Sequence, residues 1–126
     1  MAAVSDVLCN SIANDFMRGI NPQMRAQNTN TKIKTIILSM KVFLGEELLQ
    51  EVTRTTHFEQ YPTKGEENLL EENLRQRKAE VREMVQEAPD PFDSIQLIFI
   101  LMVGSNVKFQ ENKTYANLNY TVTREE

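Results

Sequence analysis

The sequence predicts a single α+β domain over residues 1–126, mostly helical, with about three amphipathic helices, a buried apolar segment and a C-terminal β-strand pair. Three observations carry that expectation. Apolar residues recur at helical spacing in three stretches, the run from Ile95 to Val103 is apolar but for Gln96, and residues 115–123 alternate apolar with polar. A composition of 40% hydrophobic and 25% charged residues is that of a folded globular chain. A domain of this length buries roughly two thirds of its unfolded surface, so it needs no covalent staple.

The first helix is expected near residues 3–18. Val4, Leu8, Ile12, Phe16 and Ile20 follow one another at four-residue intervals, which sweeps out a wide core face. Asp6 suits a helix N-terminus and Arg18 a C-terminus, while Gly19 and Pro22 are read as the stop. Residues 21–31 are rich in Asn, Gln and Thr and read as a linker.

A second helix is expected near 32–52, because Ile33, Ile37, Met40, Leu44 and Leu48 lie on one helical stripe, and alternate residues mix Lys with Ile on both faces. The β-branched cluster and Gly45 argue against it, leaving a strand over 33–43 followed by a short helix as the alternative. A polar connection with Pro62 follows. Thr63 with Glu66 makes a capping box for a third helix near 65–88, which Pro89 and Pro91 terminate.

"SIQLIFILMVG", residues 94–104, reads as central core. Its nine residues from Ile95 to Val103, apolar but for Gln96, are about half the roughly 18 to 20 residues that a membrane helix needs, so no membrane role is expected. Residues 115–123 have the period of a half-buried strand, with Val107 to Phe109 as its expected hairpin partner. No internal repeat is visible.

Charge is segregated along the chain. Residues 16–45 carry Arg18, Arg25, Lys32, Lys34 and Lys41 and no acid, whereas residues 46–93 have a net charge of -7. Such segments either pair with each other or expose a patch to an anionic ligand. The first residues lack the basic and apolar regions of a secretory signal, and the single Cys9 cannot form an internal disulfide. An intracellular, cytoplasmic setting is expected, with the nucleus left open.

Catalytic templates lack partners. The one histidine, His57, stands in a polar stretch away from the one cysteine, and no glycine belongs to a phosphate-binding loop. Glu67 and Glu71 share a helix face, but carboxylate-bridged metal helices add a histidine three residues on, and none is present. No catalytic residue, metal ligand or cofactor is expected, and the protein is read as a non-enzyme. Assembly has more positive support. Leu70, Leu74, Arg77, Val81, Met84 and Ala88 are spaced like the seam between two helices, with Leu69 beside them. The expected function is therefore a protein–protein interaction or assembly protein that self-associates, or binds another protein, through amphipathic helical surfaces at Leu69, Leu70, Leu74, Arg77, Val81 and Met84. The alternative is a nucleic-acid-binding or regulatory module using Arg18, Arg25, Lys32, Lys34 and Lys41.

Overall fold

The computed structural model describes residues 5–26, 34–58 and 67–116. Helix α1, Asp6–Ala26, is followed by strands β1, Lys34–Leu44, and β2, Glu47–Phe58; helix α2, Glu67–Gln86, is followed by β3, Ser94–Val103, and β4, Asn106–Ala116. The four strands form one antiparallel sheet in the order β2-β1-β3-β4. This α+β chain is not mostly helical. Two of the six described elements are helices.

The second expected helix, 32–52, is instead the β1–β2 hairpin. Its inner face is made by Ile36, Leu38, Met40 and Val42, each at most 1% exposed, in strict alternation with half-buried residues. The helical stripe was a coincidence of a strand with apolar residues on both faces, since Ile37 and Phe43 project from the other side. Gly45, read as a helix weakener, opens the two-residue turn between the strands at φ +62°. No non-glycine residue has positive φ among the described residues, so this is the arrangement of a type II′ turn, with glycine at the first central position. Asp93 steadies it: its carboxylate accepts from the Gly45 N–H at 2.5 Å, and its own N–H donates to the Phe43 carbonyl at 2.7 Å.

Two further boundaries differ from expectation. Helix α1 runs through Gly19 and Pro22 to Ala26, because Ile20 and Met24, both 0% exposed, hold its last turns in the core. Strand β4 carries Val107 to Phe109 and Tyr115 on one continuous strand paired with β3, so those segments are not partners of each other. The expected strand beyond Ala116, the linker over 27–31 and the Thr63 cap lie outside the described residues. Helix α2 matches the third expected helix, whereas the apolar run, expected as central core, is strand β3, fully buried on its inner face and only half-buried on its outer one.

The chain is built twice from the same unit, which the sequence reading missed. Each half is a helix followed by a hairpin, and the second hairpin turns at Gly104 with φ +61°, matching Gly45. Both hairpins carry a register shift just before the turn, between Val42 and Phe43 and between Leu101 and Met102. Aligning the glycines pairs Ile36 with Ile95, Leu38 with Leu97, and Arg54 with Lys113. The halves meet along β1 and β3, and the pseudo-two-fold axis passes where Ser39 faces Ile98.

Both helices cover one face. The alternation of burial in β1 and β3 puts Leu38, Met40, Leu97 and Phe99, all 0–1% exposed, under α1 and α2, which pack along each other. A Cβ added at either turn glycine meets nothing within 4 Å, so only backbone strain opposes it. Gly45→Ala and Gly104→Ala should each cost about 1–2 kcal/mol, read as equal losses in urea midpoint at constant m-value.

Candidate functional site

The seam expected on α2 is directed inward. Leu74, Val81 and Met84 are 5%, 0% and 1% exposed, and all three belong to the common core with α1 and the sheet. Arg77, at the centre of the stripe, is 4% exposed, and its Nε lies 2.9 Å from Glu80 Oε1 one turn on. A buried guanidinium beside a carboxylate on its own helix is tolerable because the charge is balanced locally. These residues lie inside the domain and present no surface to a partner. The side chains of Leu69 and Leu70 lie outside the described residues.

The basic segment does not form one patch. Arg18 projects from α1 and pairs with Asp15 at 3.0 Å; Arg25, near the end of α1, pairs with Glu71 of α2. Lys34 is 0% exposed on the inner face of β1, where burial and nearby Lys108 push its ammonium below the ordinary lysine range. Lys41 lies on the opposite face of the sheet, across from Glu51. Lys32 is outside the described residues. Helix surface, core and outer sheet face thus divide the four described charges, and a phosphate backbone would need them on one side.

A polar cluster lies between α1 and β4. The Asp15 carboxylate accepts from Lys113 Nζ at 2.5 Å and from the Tyr115 hydroxyl at 2.7 Å, beside a shallow cleft of about 310 Å³ that Ser11 and Ile12 also line. Hydrogen bonds from Lys113 and Tyr115 hold the Asp15 carboxyl below the usual carboxylate range. Burial and then Asp15 itself push the Tyr115 phenol far up. The acid stays ionised and the phenol stays protonated, so neither is poised to exchange a proton near neutrality. The cluster is a latch that ties α1 to an edge strand. Arg54 of β2 reaching Glu83 of α2 at 3.0 Å is its counterpart in the other half. His57 bonds Thr35 Oγ1 through Nδ1 at 3.1 Å on the exposed side of the sheet, remote from Cys9, which is buried at 1% exposure. No group of three or more metal-ligating side chains occurs among the described residues, and none of their helices is long and apolar enough to cross a membrane.

What the helices leave open is the other face of the sheet. Ile37 of β1 lies opposite Ile100 of β3, Ser39 opposite Ile98, and Thr35 opposite Met102. Phe43 pairs with Leu48 at one corner and Met102 with Val107 at the corner related by the pseudo-two-fold axis; Leu48 and Val107 are 46% and 55% exposed. No described element covers this face. Lys41 and Glu51 are opposite-charge neighbours there, and the surrounding polar residues, such as Thr53, Thr55, Gln96 and Asn112, carry no charge. The signal was present in the sequence: an antiparallel strand with one wet face alternates, and β3 does not.

Comparison of the chain with protein-family models, with curated proteins and with solved structures finds no match.

Two measurements follow from these placements. Val81→Lys, which sets a charge at a fully buried position, should abolish cooperative unfolding rather than change association alone. Asp15 has a folded-state pKa below its unfolded value, so its latch contributes fully above about pH 4 and is lost as pH falls through the lower folded value. Urea midpoints followed from pH 7 to pH 3 should fall less steeply for Asp15→Asn than for the parent, with the parent the more stable at pH 7.

Proposed function

We propose that the protein is a non-enzymatic protein-interaction module that works through the open face of its sheet. The observation that carries this reading is β3. Its inner residues Ile95, Leu97, Phe99 and Leu101 are fully buried under the helices, yet its outer residues Ile98, Ile100 and Met102 are equally apolar and no described element covers them. Near-continuous hydrophobic strands belong to sheets covered on both faces. An apolar patch with little charge at its centre is the composition of an interface core, where charged residues are depleted and aromatic residues and Met enriched. The helical layer, dense in Arg, Lys and Glu, has the composition of a solvated surface.

The reading retains interaction and moves its site from the α2 stripe to the sheet. It also favours protein over nucleic acid, since the face has one opposed Lys–Glu pair and no excess of positive charge. In extract of cells that make the protein naturally, it should elute at a mass above that of one chain, and Ile100→Glu should elute as one chain with an unchanged circular dichroism spectrum. Elution of the parent as a single chain, or an unchanged mass for Ile100→Glu, would refute the reading.

A further inference from the structure

Resting on that reading, we infer that the partner of the open face is a second copy of this chain, docked face to face about a two-fold axis. Charge argues first. A heterologous partner is usually selected by a complementary field, and this face has little to offer: Lys41 and Glu51 face each other as opposite charges, the His57 imidazole is bonded to Thr35, and the remaining side chains are apolar, hydroxyl or amide. Two such faces meet without like-charge repulsion.

Area argues second. Four strands about 4.8 Å apart and about ten residues long at 3.3 Å present roughly 600 Å² in plan, and more as corrugated accessible surface. A stable interface of standard size takes about 800 Å² from each partner. The face matches that requirement only if most of it is used, which suits a flat sheet of equal dimensions better than a peptide or a single helix.

Symmetry argues third. An isologous contact needs a patch complementary to itself. The internal pseudo-two-fold axis repeats the apolar corners of this face, the Phe43–Leu48 and Met102–Val107 pairs, about a centre near Ile98, while Lys41 and Glu51 on one side are answered by Ile100 and Gln110 on the other. Stacking two copies then arranges four helix–hairpin units with pseudo-222 symmetry, the helices outermost and two sheets about 10 Å apart within. The Ile98 side chains of the two copies meet near the crossing of the axes.

The test uses purified full-length protein. Sedimentation and light scattering from 1 to 200 μM should give about twice the mass of one chain, and Ile98→Lys with Ile100→Lys should halve it without loss of the thermal transition. Should the double lysine variant fail to fold, Ile98→Cys serves instead: Cys9 is buried, so a bismaleimide with a spacer near the sheet separation should join Ile98→Cys chains into covalent dimers and leave an Arg75→Cys control on the helical surface unjoined. A parent that stays monomeric throughout, while binding an apolar dye that the lysine variant does not bind, overturns the second copy and leaves the interaction surface standing. A dimer unaffected by either lysine or cross-linked equally at Arg75→Cys overturns both.

Discussion

The rest of this structure depends on the antiparallel pairing of β1 with β3. That ladder runs from Lys34 opposite Val103 to Phe43 opposite Ser94 and is the only backbone seam between the two helix–hairpin halves among the described residues. A two-stranded hairpin alone is marginal in water, and neither helix would have a floor to bury against without the other half's strands. Joining the halves brings Leu38 opposite Phe99 and Met40 opposite Leu97, placing the largest inner side chains side by side beneath α1 and α2. Register therefore sets the core. A slip of one residue would turn Ile37, Ile98 and Ile100 inward, and because they too are apolar, patterning alone resists that slip weakly. The two glycine turns and the matching register shifts beside them, with Asp93 clamping the first turn, supply the resistance that patterning lacks.

Charge segregation along the chain is answered inside it at one described point. Arg25 from the basic segment reaches Glu71 from the acidic one, joining the end of α1 to the start of α2. Arg54 and Lys113, at corresponding places on the two edge strands, are each held by an acid from the helical layer, Glu83 and Asp15. These exposed or half-exposed pairs are worth little individually, on the order of 0.2–1 kcal/mol. Their service is positional: they fix how each helix lies across the sheet, while the energy comes from the apolar layer beneath.

What could be read from the sequence was the helical layer. Where one face packs and the other is solvated, as in α2 with Leu74, Val81 and Met84 against Arg75, Lys78 and Arg82, periodicity is unambiguous and the boundaries agree closely. The sheet was harder for a physical reason. Strands β1 and β3 carry apolar residues on both sides, so the two-residue period that betrays a half-wet strand is blurred, and Ile33, Ile37, Met40, Leu44 and Leu48 imitate a helix. The internal duplication escaped notice because few identities survive, among them Ile36 with Ile95 and Gly45 with Gly104, while the shared turn geometry shows only in three dimensions. The same cause hid the candidate site: the features that made β1 and β3 unreadable are the side chains of the open face.

The distribution of charge over the sheet separates two kinds of growth. The edge strands carry Glu51 and Arg54 on β2 and Lys108, Glu111 and Lys113 on β4, and charges on edge strands discourage edge-to-edge pairing into larger sheets. The open face has no such guard beyond Lys41, itself neutralised by Glu51. An apolar strand run of this kind, exposed on an otherwise guarded sheet, would be an aggregation hazard if any partner could extend the contact indefinitely. A sheet has only one face left once helices cover the other, so contact through it closes on itself after a single partner. The helices thus do more than complete a core: by occupying one face, they convert a two-sided sheet that could stack without limit into one that can stack once.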